Sequence, residues 1–449
     1  MSLCTKALAF LVLLILAAGG WLAFHQPERP LVLPTSDQPK TATIPASPPG
    51  ETTTPEPDRH LGPLGDTPDW SALDAYQGTI SRREFEQLLD TIFTTGSQWR
   101  NYFSIGDKEA VIATDTRESG LRFHLRFATP EGSSPAPRHW RTARELPPAP
   151  PERPLEGLRI AIDPGHIGGT WAKMEERWFV IGEAPPVCEG DLTLAVARLL
   201  KPELESLGAT VTLVRNNSEP LTPLRPETLM TAAEATTDSG GDVRKTAERL
   251  FYRTAEIRAR AEYVNRSLKP DLVLCLHFNA EAWGNALNPT LTDHSHCHLL
   301  LNGGYTDDEL ALSDQRFEML RKLLQRTHAE EAAIGADVAA SFYSSTGLPP
   351  YTYNPASRNA RMVDGNPYLW ARNLLANRLY DCPVIFMEPY VMNSRHDYNR
   401  IQAGDYEGTR EIDGKQLPSI FREYAGAVAN GLKTHYAKIR QGEPLLPKN

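Results

Sequence analysis

The chain is organised around the stretch Arg159-Ile-Ala-Ile-Asp-Pro-Gly-His-Ile-Gly-Gly169. Residues 158–162 form a short apolar run, which is typical of a strand buried on both faces. Asp163-Pro-Gly165 ends that strand, because Pro fixes its own φ and Gly permits a sharp turn. His166 is therefore presented at the carboxyl end of a buried strand, where ligands bind in open α/β sheets. Taken alone, a histidine in such a turn is more often a plain loop residue than a metal ligand, so His166 needs partners to be a candidate ligand.

Strand patterns alternate with helix patterns after Gly157, which is typical of an α/β domain. The predicted strands cover residues 158–163, 209–215, 271–277, 297–301 and 383–388. The predicted helices cover residues 191–207, 249–267, 307–326 and 418–439. We therefore expect a three-layer α/β domain with a central, mainly parallel sheet over residues 157–440.

The N-terminus carries an export signal. Residues 7–24 have no charge and follow Lys6, a pattern shared by signal peptides and membrane anchors. About 18 uncharged residues are just enough to span a bilayer. The apolar run resumes through Trp21 and Phe24 without a clean cleavage pattern, so an uncleaved anchor is favoured over a signal peptide for residues 1–25. Either one places the rest of the chain in the cell envelope, on the periplasmic side of the inner membrane.

Further segments surround the α/β domain. Residues 26–70 are rich in Pro and Thr and predict a disordered linker, because such a sequence cannot bury enough apolar surface to fold. Residues 71–144 predict a small α+β module of unknown role. Its patterns indicate a helix over 81–93 that begins after Ser81 and strands over 110–112 and 121–127. A second Pro-rich linker covers 145–156, and residues 441–449 form a tail.

Charge and cysteine content exclude some classes of protein. The net charge of −9 and the lack of a basic run argue against a nucleic-acid partner. Four cysteines lie in the exported part, where disulfides are allowed but not demanded: Cys188, Cys275, Cys297 and Cys382. A chain of 449 residues is also too long to be a small disulfide-stapled scaffold.

Three polar side chains close three of the predicted strands. His166, His277 and Glu388 each follow or end an apolar run, and parallel strands would bring them to one edge of the sheet. Glu189 lies just before a predicted helix, where a carboxylate favoured by the helix dipole is the alternative interpretation. Two imidazoles and a carboxylate, with water in the fourth position, form a catalytic zinc site of the open type. A second, rigidly held carboxylate such as Glu388 would then transfer protons.

Four motifs in this order resemble those of the zinc-dependent N-acetylmuramoyl-L-alanine amidases, cell-wall hydrolases of the Amidase_3 type. They are Asp163-Pro-Gly-His166, Glu189-Gly-Asp-Leu-Thr-Leu194, Leu276-His-Phe-Asn-Ala280 and Val384-Ile-Phe-Met-Glu388, and the resemblance covers residues 157–435. It implies that His166, Glu189 and His277 bind Zn²⁺ and that Glu388 is the catalytic acid/base.

The resemblance also suggests residues that contact the substrate. Arg258 matches the arginine-bearing helix that precedes the second histidine strand in the family. Asn279 and Trp178 are further candidates for substrate binding, although packing or surface roles for all three residues are equally open. A second metal site in Asp293-His-Ser-His-Cys-His298 is less favoured than a polar loop that runs into a strand.

The chain departs from the family pattern in several places. Ile167 stands where Gly is common, and the segment from Thr170 to Val187 is long. Residues 219–245 and 331–368 are insertions, which are expected to line the rim of the site. Stem-peptide specificity therefore does not carry over from the family.

The expected function is zinc-dependent hydrolysis of the amide bond between N-acetylmuramic acid and L-alanine in peptidoglycan. The alternatives are a zinc peptidase that acts on another cell-wall peptide bond and a catalytically silent peptidoglycan-binding or regulatory protein. Peptidoglycan and, through the N-terminal helix, the membrane are the expected partners. The sequence leaves open whether a protein activator exists and whether the insertions act as a lid.

Overall fold

The computed structural model describes residues 60–116, 119–129, 132, 134–237, 240–354 and 358–440. The predicted anchor, residues 26–59 of the predicted linker and the tail lie outside the described residues. Within the described part of the chain, no helix combines the length and apolarity needed to cross a membrane.

The strands of the described residues are numbered in chain order. They are β1 (Phe103–Ile105), β2 (Glu109–Ala113), β3 (Arg122–Arg126), β4 (Arg159–Pro164), β5 (Trp178–Phe179), β6 (Val187–Cys188), β7 (Thr210–Leu213), β8 (Leu272–Leu276), β9 (Gly284–Asn285), β10 (Asn288–Pro289), β11 (Cys297–Leu301), β12 (Arg361–Val363), β13 (Asn366–Ala371), β14 (Val384–Pro389), β15 (Thr409–Ile412) and β16 (Lys415–Pro418).

The α-helices are named by their bounds. They are Arg82–Leu88, Glu189–Ser206, Met230–Thr236, Val243–Arg249, Glu256–Tyr263, Asp307–Ala311, Ser313–Gln325, Thr327–Thr346, Leu375–Leu379, Arg395–Gln402 and Ile420–Arg440. Segments of π-helix continue three of them, at Leu89–Phe93, Leu250–Ala255 and Val264–Leu268. Short 3-10 helices cover Trp70–Tyr76, Gln98–Asn101, Gly169–Trp171 and Pro226–Leu229.

A seven-stranded sheet forms the centre, in the order β12-β13-β11-β14-β8-β4-β7. Strands β7, β4, β8 and β14 run parallel to one another, whereas β11 is antiparallel to β14. The prediction of a central, mainly parallel sheet is thus confirmed. Because β4, β8 and β14 are adjacent and parallel, their carboxyl ends meet at one edge.

Helices cover both faces of this sheet. Successive strand residues alternate between two core clusters, as the two-residue period of a strand requires. One face packs against helices Glu189–Ser206, Thr327–Thr346 and Ile420–Arg440. The other packs against Glu256–Tyr263 and Leu375–Leu379. The three layers expected from the alternating pattern are therefore present.

Two helical regions differ from the sequence prediction. The predicted helix over 307–326 is divided at Leu312, which is extended (φ −83°, ψ 123°). Part of the predicted rim insertion 331–368 instead belongs to the helix Thr327–Thr346. Its Ile334, Val338 and Phe342 recur every four residues and are fully buried, so this part is a core element rather than a rim loop.

The small N-terminal sheet has the order β1-β2-β3 and is antiparallel. Its helix Arg82–Leu88 begins as predicted, because the Ser81 hydroxyl accepts a hydrogen bond from the backbone N–H of Glu84 at 3.2 Å. Arg316, from the α/β region, donates from Nε to the carbonyl of Ala113 at 2.9 Å. Side chains of both regions share one hydrophobic cluster.

The four cysteines of the described residues, Cys188, Cys275, Cys297 and Cys382, are buried free thiols. The disulfides that the exported location would allow are therefore not formed among them. These side chains act as small apolar groups of the core.

Helices Thr327–Thr346 and Ile420–Arg440 approach closely at Gly431. A Cβ atom there would lie 2.6 Å from Cα of Val338, whereas a Cβ at Gly426 of the same helix would meet nothing within 4 Å. We predict that Gly431→Ala lowers the free energy of unfolding by about 1–3 kcal/mol through overpacking. Gly426→Ala should raise it by up to about 1 kcal/mol, because Ala has the higher helix propensity. Urea denaturation measures both, and equal effects of the two changes would contradict the close approach.

Candidate metal centre and active site

Three side chains converge at the edge where β4 and β8 end. His166 follows β4, His277 follows β8, and Glu189 is the first residue of the helix Glu189–Ser206. One ligand atom from each lies within 4.8 Å of the other two. Glu189 Oε2 is 3.2 Å from His166 Nε2, and Glu189 Oε1 is 3.0 Å from His277 Nδ1. The structure thus brings the three predicted ligands into a group that fits a divalent metal ion.

Charge also favours a cation at this group. Glu189 is only 2% exposed. Burial raises its pKa, but the charge of His166 and hydrogen bonds from both imidazoles outweigh burial and hold the pKa well below its usual range. Burial lowers the pKa of His166, whereas Glu189 and Glu175 raise it, with a net value of about 9. Burial lowers the pKa of His277. A proton on His166 therefore supplies the positive charge that the buried carboxylate needs.

Glycines allow the turn after β4 to approach His277 and the start of the helix Glu189–Ser206 closely. A Cβ at Gly165 would lie 2.2 Å from Cε1 of His277, and a Cβ at Gly190 would lie 2.3 Å from the backbone nitrogen of Gly168. Real Cβ atoms do not make such contacts, so glycine is required at both positions. The turn after β4 and the start of the helix Glu189–Ser206 are thereby held against each other.

Glu388 lies near the end of β14, beside the three-residue group. It lines a cavity of about 390 Å³ together with His166 and Glu189. Burial, followed by the negative charge of Glu189, raises the pKa of Glu388 to about 8. A carboxyl group with such a pKa can both hold and release a proton near neutral pH, which suits acid/base chemistry.

A second cavity, of about 270 Å³, also borders the imidazoles. His166 and His277 line it together with Phe386 and Leu375. The ring of His277 stacks on Phe386 with centroids 4.2 Å apart, which fixes the plane of the imidazole. His166 thus lines both cavities, whereas Glu189 lines only the first of them and His277 only the second.

Arg260, rather than Arg258, reaches the centre. The Arg260 guanidinium donates to Asp163 Oδ1 at 2.9 Å and to the carbonyl of His166 at 2.8 Å. Arg258 lies away from the three-residue group, with its guanidinium 3.6 Å from Asp314. No sequence signal separates the two arginines, because Arg258 has Glu262 and Arg260 has Glu256 four residues away.

The other two predicted substrate contacts differ in position. Asn279 lines the larger cavity. Trp178 does not line either cavity at the centre; it pairs with Cys188 in the β5–β6 hairpin and has the ammonium of Lys173 over its ring at 4.3 Å. Sequence reasoning missed Arg177 and Trp283, which both line the larger cavity. Neither belongs to a motif or a periodic pattern, so only the three-dimensional contact reveals them.

The histidine-rich segment before β11 forms no second metal centre. His166, Glu189 and His277 are the one group of three or more metal-binding side chains found among the described residues. His298 belongs to β11, opposite Glu388 in antiparallel register, and stacks on Tyr351 at 4.8 Å. Burial, together with the charges of His296 and Arg372, lowers the pKa of His298 to about 3. This imidazole is thus neutral and packed within the sheet.

Comparisons with known proteins agree with the four motifs. The sequence model of the family Amidase_3, N-acetylmuramoyl-L-alanine amidase, matches residues 160–410, which is more than half of the chain. No curated protein sequence matches.

Several solved structures are similar. The amidase Ami1 of Mycobacterium smegmatis is 15% identical over 63% of this chain and 99% of its own, with a TM-score of 0.36. The amidase AmiC2 of Nostoc punctiforme is 14% identical over 64% of this chain and 99% of its own, with a TM-score of 0.34. The CwlD amidase of Clostridioides difficile, whose structure was solved in complex with the GerS lipoprotein, is 12% identical. The match covers 62% of this chain and 98% of CwlD, with a TM-score of 0.35.

The raised pKa of His166 predicts that metal binding releases a proton. Its value of about 9 exceeds the ordinary 6.5, so the metal-free protein holds this proton at pH 7.5 and loses it as the pH rises through 9. A metal ligand must be deprotonated, so Zn²⁺ affinity should rise about tenfold per pH unit between pH 7 and 8.5. Calorimetry of Zn²⁺ binding in buffers of different ionisation enthalpy measures the proton count. The Glu388→Gln background removes the titration of Glu388, and a binding enthalpy independent of the buffer would contradict the assignment.

Proposed function

Because the chain belongs to the N-acetylmuramoyl-L-alanine amidase family, we propose that His166, Glu189 and His277 hold a catalytic zinc ion and that Glu388 is the acid/base. The protein hydrolyses the amide bond between the lactyl group of N-acetylmuramic acid and L-alanine in peptidoglycan, the reaction of this family. The observation that carries the proposal is the buried carboxylate of Glu189 between two imidazoles, beside the cavity that Glu388 lines.

The donor set supports zinc over other common metal ions. Two imidazole nitrogens and one carboxylate suit Zn²⁺, whereas Mg²⁺ and Ca²⁺ prefer sites built from oxygen ligands. Three protein ligands leave a coordination position for water or substrate, as in catalytic zinc sites. A zinc ion in such a site acts as a Lewis acid toward a carbonyl oxygen and lowers the pKa of a bound water.

Glu388 moves the protons of the proposed reaction. Its carboxylate takes a proton from the attacking water as the new C–O bond forms at the lactyl carbonyl carbon. The same carboxyl then gives that proton to the alanine nitrogen as the C–N bond breaks, so that a free amine and a carboxylic acid result, and the acid loses its remaining proton to solvent at neutral pH. Burial and the negative charge of Glu189 raise the pKa of Glu388 in the metal-free protein, which makes its carboxylate a stronger base than an exposed one for the first step.

The lining of the larger cavity supports a polar substrate. Asn279 offers an amide and Trp283 an aromatic surface, and Arg177 is the one Arg or Lys among the residues that line this cavity. Asn279 therefore remains the proposed substrate contact. Arg258 and Trp178 are not proposed further, because neither lines this cavity.

The substrate also bears on where the protein acts. Peptidoglycan lies outside the cytoplasmic membrane, so a cell-wall amidase works on the extracytoplasmic side. Retention by residues 7–24 as an inner-membrane anchor is part of the proposal and rests on their eighteen uncharged residues.

The role of Glu388 is tested by digesting purified sacculi with full-length protein. We predict that Glu388→Gln lowers kcat by about 10²–10⁴-fold, the usual contribution of a general acid/base, while Zn²⁺ content and thermal stability stay unchanged. Glu411→Gln, at an exposed glutamate of β15, is the matched control and should keep full activity. Removal of metal by a chelator should abolish turnover, and added Zn²⁺ should restore it.

The released products separate this function from its alternatives. An amidase frees stem peptides that begin with L-alanine and leaves intact glycan strands. Cleaved crosslinks with intact lactyl–alanine bonds would instead show a peptidase, and binding without zinc-dependent turnover would show a silent binder. Equal activity of Glu388→Gln and wild type would remove Glu388 from the mechanism.

A further inference from the structure

The loop from Thr170 to Val187 turns a second carboxylate toward the proposed zinc ligands. Glu175, in this loop, is buried with 2% exposure. One of its oxygens accepts the backbone N–H of Ile167 at 2.8 Å, and the other accepts the N–H of Gly168 at 2.9 Å. Its Oε1 also lies 3.5 Å from Nδ1 of His166. All three contacts belong to the turn that presents His166.

That turn needs an external support. His166 has a φ of +59°, in the left-handed region that non-glycine residues adopt at a cost. Backbone N–H groups that follow such a residue are free of strand pairing, and burial would leave them unsatisfied. The carboxylate of Glu175 satisfies two of them at once. It therefore stabilises the one backbone conformation in which His166 projects toward Glu189.

The two nitrogens of His166 face different carboxylates. Nε2 lies 3.2 Å from Glu189, and Nδ1 lies on the side of Glu175. In metal sites, a carboxylate at the nitrogen that does not bind the metal fixes the tautomer and the ring orientation and makes the imidazole a better ligand. We propose that Glu175 is a positioning residue that holds His166 ready to bind the metal. This inference rests on the proposed zinc site and adds to it the reason for the long loop.

Glu175 is itself held in place from two directions. Its backbone N–H donates to the carbonyl of Trp171 at 3.0 Å. The next residue, Glu176, lies at the edge of the larger cavity and pairs with Lys245 at 2.9 Å. Glu176 thus connects the loop to the helix Val243–Arg249, whereas Glu175 binds the backbone of the turn that contains His166. A carboxylate fixed in this way costs little entropy when His166 binds a metal ion.

The test measures Zn²⁺ affinity directly, by competition with a chromophoric chelator. Glu175→Gln keeps the size of the side chain but turns an amide N–H₂ toward a backbone N–H donor and removes the charge at Nδ1. We expect its Zn²⁺ affinity to fall about 10–100-fold, the usual effect of losing such a partner. Glu183→Gln, at an exposed glutamate of the same loop, is the control and should bind Zn²⁺ as the wild type does.

Activity at saturating Zn²⁺ distinguishes positioning from a general folding defect. If Glu175 acts through metal binding, excess Zn²⁺ should restore kcat of Glu175→Gln to within a few fold of wild type. Glu175→Asp keeps the charge, but its shorter side chain moves the carboxylate away from the backbone N–H groups and from His166. This second variant allows the test even if Glu175→Gln does not fold. It should fold and lose Zn²⁺ affinity.

Two results would overturn the inference. Wild-type Zn²⁺ affinity in a folded Glu175→Gln or Glu175→Asp variant would remove Glu175 from the metal site. A loss of kcat that excess Zn²⁺ does not restore would assign it another role. A wild-type protein that binds no Zn²⁺ would refute the proposed zinc site itself, which is a separate outcome of the same titration.

Discussion

The arrangement at the sheet edge depends on one buried carboxylate, that of Glu189. Burying an ionised carboxylate costs several kcal/mol unless donors surround it. His166 and His277 contact it at 3.2 and 3.0 Å, Arg177 Nε lies at 3.2 Å, and the backbone N–H of Phe278 donates at 3.2 Å. These donors come from three separate segments, so the carboxylate is stable only when all three segments are assembled. The native fold therefore favours the same geometry that the proposed metal ion would need.

Parallel pairing of the strands brings the residues of the site to one edge of the sheet. Strands β4, β8 and β14 end at one edge, and their side chains alternate between faces with a period of two. Phe386 and Glu388 consequently share a face with Cys275 and His277, and the stacked pair His277–Phe386 lines the smaller cavity. A shift of one residue in β14 would move Glu388 to the opposite helical layer. Glu388, the proposed acid/base, is thus placed by strand pairing rather than by a flexible loop.

The sequence could predict the features that depend on local pattern. Short apolar runs ending in His166, His277 and Glu388 marked the strands, and strand direction then determined where the three side chains meet. It could not choose between Arg258 and Arg260, because π-helical turns at Leu250–Ala255 and Val264–Leu268 flank their helix and change which face meets the sheet. The prediction that residues 331–368 line the rim was wrong for the buried part of the helix Thr327–Thr346. A segment absent from a family pattern can still belong to the core.

The isoleucine after His166 shows how a departure from the family pattern is accommodated. Ile167 does not have a positive φ, unlike its neighbours His166 and Gly168, so the backbone tolerates a side chain there. That side chain is fully buried in a separate apolar cluster with Leu250 and Phe251. A bare glycine would leave a cavity against these side chains, and an isoleucine without them would be exposed to solvent. Ile167 and the helical segment that covers it therefore form one structural feature. The backbone N–H of the same residue donates to Glu175, so this feature also bears on the geometry of the proposed metal centre.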